Sequence, residues 1–223
     1  MSAFELGFLA TPQRRNWYRR KGKRRLDLVL SVTGLVLLSP LLLALWLLVR
    51  CSSRGPVLFR QERLGLYGSP FRVLKFRTMH VGTDDRVHRD YVTQLLTSTS
   101  PELGGDGLFK LADDPRVTVV GHLLRRTSLD ELPQLINVLH GQMSLVGPRP
   151  CLPWERELYD AAHLERFSVP PGITGLWQVS GRSRLSMRQA LDLDVRYARE
   201  QSAALDLSIL ARTLPTLIRH EAS

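Results

Sequence analysis

Asp130 and Glu131 are neighbouring carboxylates at the end of Arg125-Arg126-Thr127-Ser128-Leu129-Asp130-Glu131. Kept ionised, such a pair can supply a nucleophile or a Mg²⁺ ligand. The local pattern has a second reading, because acids are common in the first turn of a helix, where they cap free N–H groups. The basic residues around the pair favour chemistry. Arg125 and Arg126 lie just before it, Arg149 stands between Pro148 and Pro150, Arg182 follows Gly181, and Lys75 and Arg77 come from a separate stretch. Guanidinium groups pair bidentately with phosphate, so several converging on one carboxylate would bind a polyphosphate.

Other chemistries lack their residues. His80, His88, His122, His140, His163 and His220 form no zinc spacing with one another or with cysteine. No P-loop, G-x-G-x-x-G or G-x-S-x-G motif is present. Asp84-Asp85 and Asp113-Asp114 read first as turn and cap residues, the second pair being followed by Pro115.

The elements that must position these residues follow from periodicity. Leu129, Leu132, Leu135, Ile136 and Leu139 recur at helical spacing, which predicts a mainly helical stretch over 117–140. Ser128 and Glu131 form a capping-box pattern, and Gly141 is a plausible C-cap. Pro133 must lie within the first turn, so the acids fall at or just inside a helix N-terminus. Val57–Phe59 and Phe71–Phe76 alternate apolar and polar around Gly-rich turns and predict a small hairpin carrying Lys75 and Arg77. Residues 97–107 read as a Gly-rich loop. Gly147-Pro148-Arg149-Pro150 and Pro170-Pro171-Gly172 are stiff turns. Residues 187–200 and 205–219 are amphipathic; the second pattern suits the core or a membrane surface.

Leu28–Val49 carries no charge and is mostly Leu and Val. At about 1.5 Å per residue it would cross a bilayer core of roughly 30 Å, yet Ser39-Pro40 interrupts it. Pro40 lacks an N–H and its ring clashes with the carbonyl of Val36, so the helix kinks or breaks there. Ser39 can hydrogen-bond a freed carbonyl. Both flanks are basic, with Arg14, Arg15, Arg19, Arg20, Lys21, Lys23, Arg24 and Arg25 before and Arg50 and Arg54 after, so the positive-inside rule sets no direction. This pattern predicts a helix-break-helix that dips into one leaflet and returns; a kinked single span is the alternative. The basic block, within a net charge of +10, is matched to anionic lipid headgroups. The expected organisation is a basic segment over 1–25, a membrane segment over 26–50 and a catalytic domain over 51–223. Cys51 and Cys151 form no framework and read as packing residues in a reducing compartment.

Several motifs together resemble the monotopic polyprenyl-phosphate phosphoglycosyl transferases, or bacterial sugar transferases. They are Lys75-Phe76-Arg77-Thr78-Met79; Arg125 through Gln134; Asn137-Val138-Leu139; Met143 through Pro150; and Pro171-Gly172-Ile173-Thr174-Gly175 through Gly181-Arg182. The resemblance covers about residues 23–214. It implies an α/β fold of mixed α+β type, mostly helical, with a re-entrant membrane helix broken at Ser39-Pro40, a short β-hairpin and amphipathic interfacial helices. It implies catalysis by Asp130 and Glu131, which would also bind Mg²⁺. It implies phosphate or nucleotide contacts from Lys75, Arg77, Arg125, Arg149 and Arg182. The implied substrates are a UDP-sugar and undecaprenyl phosphate, joined through a covalent Asp130 phosphosugar with release of UMP, the first step of a surface polysaccharide or glycoconjugate. The implied location is the bacterial inner membrane, with the catalytic domain on the cytosolic face. Residues 1–22 have no counterpart in the resemblance, and the additional spans of long relatives are missing, so the short form is expected.

A non-catalytic membrane scaffold and a nucleic-acid binder using the basic block compete with this reading. No aromatic platform or helix-turn-helix pattern supports the latter, so nucleic acid is not an expected partner. A homodimer at the membrane surface is compatible with the sequence, and the sugar is not legible in it.

Overall fold

The computed structural model describes residues 18–80, 89–90, 93–94, 114–181 and 185–219. After a short π-helical turn at Tyr18–Gly22 the chain forms α1 (Lys23–Leu37) and α2 (Ser39–Ser52), bent by 65° at Leu38. The bend follows from local chemistry. Pro40 enters the first turn of α2, where a missing N–H costs little. Ser39 Oγ donates to the Val36 carbonyl at 2.8 Å. The helical segment expected over 26–50 therefore runs from Lys23 to Ser52. Among the described residues no single helix is long and apolar enough to cross a membrane, whereas this bent pair meets the length and composition together.

α1 buries a polar face and α2 an apolar one, and both arms are apolar outside. Lys23, Asp27 and Ser31, spaced four apart, are buried on one face of α1. Ser144 Oγ and the Leu145 N–H both donate to Asp27 Oδ1 at 3.0 Å. The outer surface exposes Val29, Val36, Leu37, Leu43, Trp46 and Leu47, with Leu37 at 73 %. A helix facing water shows the reverse pattern. Paired polar groups can be buried at tolerable cost, and an apolar surface of this extent needs a non-aqueous neighbour.

β1 (Leu58–Leu64) and β2 (Pro70–Phe76) form an antiparallel hairpin in which Phe59 opposes Lys75. Next come α3 (Val119–Thr127), a 3-10 turn at Leu129–Glu131, α4 (Gln134–Leu139) and β3 (Ser144–Val146). Two 3-10 segments, Pro153–Leu158 and Ala161–Ser168, lead to β4 (Gly172–Thr174), which pairs parallel with β3. Helices α5 (Leu176–Ser180), α6 (Met187–Glu200) and α7 (Ala203–Arg219) complete the described chain. It is mostly helical with small sheets.

The two stiff turns interlock at β3 and β4. The Gly147 N–H donates to the Thr174 carbonyl at 2.9 Å, and the Gly172 N–H to the Pro148 carbonyl at 2.8 Å. A Cβ on Gly172 would meet the Gly147 nitrogen at 2.0 Å, so only a hydrogen fits between the strands.

Three expectations need correction. The stretch over 117–140 is two helices, because Ser128 adopts a left-handed conformation with φ 57° and restarts the chain as a 3-10 turn. Ser128 makes no side-chain cap there; Thr118 caps α3 by accepting from the Gly121 N–H at 2.9 Å. The capping box of this chain is at Ser186 and Gln189, ahead of α6. Cys151 is buried, but Cys51 is exposed at the end of α2. The C-terminal amphipathic helix packs on the core through its inner face. It turns Asp206 and Ile209 inward beside Val146 and Tyr197 while Leu207 stays 55 % exposed.

Candidate active site

Asp130 and Glu131 occupy the 3-10 turn between α3 and α4. The left-handed Ser128 reverses the path just before them, a conformation costing a non-glycine residue roughly 1–2 kcal/mol. The turn is tied by the Glu131 N–H donating to the Ser128 carbonyl at 3.2 Å. Leu129 and Leu132 pack into the cluster of Leu45, Val49, Val57, Phe76 and Leu124. This sets the acidic turn against the C-terminal half of α2, the second arm of the apolar pair. Asp130 is buried, with 7 % of its surface exposed. Glu131 is half-buried and accepts from Lys75 Nζ at 2.6 Å.

The other basic residues divide by position. Arg77, just beyond β2, is buried and ties the hairpin to the end of α2. Its Nη1 donates to the Pro56 carbonyl, and its Nη2 donates to the Ser53 carbonyl at 2.7 Å and Oγ at 3.0 Å. Burial and the charge of Arg50 push its pKa below the ordinary value. The sequence pattern offers Arg77 as a phosphate contact; in the structure its guanidinium donates to the Pro56 and Ser53 carbonyls, beyond the end of α2. Arg125 is half-buried in the last turn of α3. Its charge acts on Asp114, whose carboxyl is held below the usual range chiefly by hydrogen bonds from the Arg116 side chain. Asp114 thus serves as a turn residue. Arg182, Asp84, Asp85, Asp113 and the loop over 97–107 lie outside the described residues.

Arg149 is half-buried, and buried charges hold its turn. Arg166 Nη2 donates to the Arg149 carbonyl at 2.7 Å, and Arg63 Nη1 to the Pro150 carbonyl at 3.1 Å. Arg166 is ion-paired with Asp194, both nearly inaccessible. Burial pushes the Asp194 carboxyl up to about 6, against the charge and hydrogen bond of Arg166 and a backbone hydrogen bond from Arg149. Sequence reasoning missed Arg63, Arg166 and Asp194. The available signal was Asp194 itself, a carboxylate among Ala190, Leu191, Val195 and Ala198 on the inward face of an amphipathic helix.

Among the described residues no cluster of three or more His, Cys, Asp or Glu could cage a metal. Mg²⁺, however, is commonly bound by one or two carboxylates with substrate phosphates and water completing its shell. The adjacent oxygen donors of Asp130 and Glu131 fit that requirement.

The chain belongs to the bacterial sugar transferase family, whose pattern matches residues 18–220. It is 42 % identical over 197 residues to the exopolysaccharide production protein ExoY of Sinorhizobium fredii, covering 87 % of this chain and 84 % of the relative. ExoY of Rhizobium meliloti is 41 % identical over the same shares. The Escherichia coli UDP-glucose:undecaprenyl-phosphate glucose-1-phosphate transferase is 42 % identical over 200 residues, covering 86 % of this chain and 39 % of that longer protein. The short ExoY proteins match in length as well as in sequence.

Proposed function

We propose that this protein transfers a sugar 1-phosphate from a UDP-sugar to undecaprenyl phosphate and so begins a surface polysaccharide or glycoconjugate. The observation that carries the reading is the buried Asp130 beside the Lys75–Glu131 pair, packed against a bent apolar helix pair. Membership of the family and relatives named for this chemistry support it.

A carboxylate oxygen of Asp130 attacks the β-phosphorus of the UDP-sugar. The bond from that phosphorus to the bridging oxygen breaks, and UMP leaves with that oxygen. An oxygen of undecaprenyl phosphate then attacks the same phosphorus, the bond to Asp130 breaks, and the carboxylate returns. The product is undecaprenyl diphosphate sugar. No proton need move in either exchange, which suits a site built from an ionised acid and fixed cations. Lys75 holds Glu131 in place next to the nucleophile by the 2.6 Å ion pair. Arg125, Arg149 and Arg182 are the cations assigned to the phosphates. Mg²⁺ held by Asp130, Glu131 and phosphate oxygens would neutralise charge on the reacting phosphates.

The lipid acceptor explains the anchor. In this reading the 65° bend makes α1 and α2 a re-entrant pair dipping into the cytosolic leaflet of the inner membrane. Lys23 is buried on Asp206 and Arg24 donates to the Val138 and Leu139 carbonyls, so the rest of the basic block, with Arg50 and Arg54, meets anionic headgroups, and amphipathic helices lie at the interface. Residues 1–25, 26–50 and 51–223 then act as headgroup contact, anchor and catalytic domain.

The test is UMP release from UDP-glucose, UDP-galactose and their N-acetylated counterparts by the full chain in nanodiscs containing undecaprenyl phosphate. Asp130→Asn is expected to abolish release and labelling of the protein by substrate phosphorus. Normal release would remove Asp130 from the mechanism, and no turnover with any of these substrates would favour a scaffold.

A further inference from the structure

Among the described residues no strand pairs with the outer edge of β2, and a side chain takes the strand's place. Asn137, on α4 and 2 % exposed, accepts from the Leu74 N–H through Oδ1 at 2.9 Å. Its Nδ2 donates to the Arg72 carbonyl at 2.8 Å and to Gln142 Oε1 at 2.7 Å. A carboxamide has one acceptor oxygen and two donor hydrogens, and all three functions are used. The N–H of Leu74 and the C=O of Arg72 are the groups that β2 turns away from β1. The amide of Asn137 therefore bonds the strand edge much as a neighbouring backbone would.

Lys75 follows Leu74 directly, and Glu131 stands just upstream of Asn137 in the same turn-and-helix segment. Apolar contact joins β2 to α4 through Phe71 and Val73 with Val138, and Met143, beyond α4, packs in the same cluster. Apolar contact is non-directional and tolerates sliding. A charge-assisted hydrogen bond of 2.6 Å does not. Asn137 makes the directional contact between these two elements next to the ion pair.

We propose that Asn137 is the positioning residue for Lys75 and Glu131, its amide fixing β2 against α4 so that Lys75 Nζ reaches Glu131 Oε1. The role rests on the proposed function in assigning Glu131 to the reacting pair. The geometric part stands without it and is testable apart from turnover.

The chain has lysines at 21, 23, 75 and 110. Reductive methylation of the full-length folded protein, read by mass spectrometry, reports each one. Lys23, buried on Asp206 at 2.6 Å, is the internal control for folding. In Asn137→Ala and Asn137→Asp, Lys75 is expected to react as fast as it does in Glu131→Gln, with Lys23 as slow as in the parent. With the most active UDP-sugar, kcat should fall about tenfold or more, with KM changed by less than about twofold. The two variants should separate with pH. The ionised carboxylate introduced by Asn137→Asp has no hydrogen for Arg72 or Gln142, and protonation returns one. The kcat of Asn137→Asp relative to the parent should therefore rise as pH falls, while that of Asn137→Ala stays level. Unchanged Lys75 reactivity in both variants would overturn the proposal, as would equal exposure of Lys23 and Lys75, which would make Asn137 a support of the whole fold. If the parent turns over none of the UDP-sugars, the functional reading fails and the lysine result is unaffected.

Discussion

Lys75 Nζ lies 2.6 Å from Glu131 Oε1, joining the end of the hairpin to the acidic turn across 56 residues of sequence. Each side chain keeps about a quarter of its surface exposed, so the pair is reachable from the site it borders.

Glu131→Gln and Lys75→Met should separate activity from stability. A partly exposed pair contributes about 1 kcal/mol or less to folding. Removing a fixed charge beside a reacting phosphate typically costs about a hundredfold or more in turnover. UMP release and thermal unfolding of the same preparations measure both. A large drop in melting temperature with turnover preserved would assign the pair to the fold.

Gly172→Ala should fail structurally. Its Cβ would lie 2.0 Å from the Gly147 nitrogen and 2.5 Å from the Thr174 carbonyl, and neither strand can yield without breaking the β3–β4 pairing. The expected loss is about 3 kcal/mol, read as a lower denaturation midpoint.

Asp206 accepts from Tyr18 and Tyr197 and is ion-paired with Lys23 Nζ at 2.6 Å, with side-chain exposures of 1 % for Asp206 and 8 % for Lys23. Asp206→Asn removes the closest partner of buried Lys23 and leaves it only the charge of Asp27 one turn away, which costs about 3 kcal/mol. Adding Lys23→Met removes the stranded charge and should restore much of the stability. An additive double variant in chemical denaturation would contradict this coupling.

Cysteine labelling tests the anchor. Cys51 is exposed at the end of α2, whereas Cys151 is buried and its thiol pKa is pushed up by burial. A membrane-impermeant maleimide should label Cys51 and leave Cys151 unmodified in the folded protein. With Lys21→Cys added, both tags should react from the same side of sealed vesicles. Reaction from opposite sides would mean a kinked span.

Much of the fold is legible where one local rule acts alone. Alternation of apolar and polar residues located the hairpin, and Ser39-Pro40 located the bend, because proline chemistry is independent of distant contacts. Helix α6 runs over residues 187–200, as its amphipathic pattern predicts. Prediction weakened where a tertiary contact outweighed local preference. Residues over 117–140 have a good helical period, yet the packing of Leu129 and Leu132 beside α2 accompanies a left-handed Ser128 that no propensity favours. Tertiary contact also sets bonds that no motif shows: Arg77 donates to carbonyls beyond the end of α2, and the main chain of Arg149 is held by Arg166 and Asp194.

Sequence alone determined the chemical inventory: a carboxylate pair, a set of cations, an apolar segment with a break, and two glycine-proline turns in family order. Those follow from residue type and near-neighbour spacing. Tertiary structure decided which cation meets which acid. Lys75 reaches Glu131 because β2 and α4 lie side by side, and that adjacency depends on hydrogen bonds between segments more than sixty residues apart. No local pattern encodes such a distance, since it is set by how the chain closes on itself.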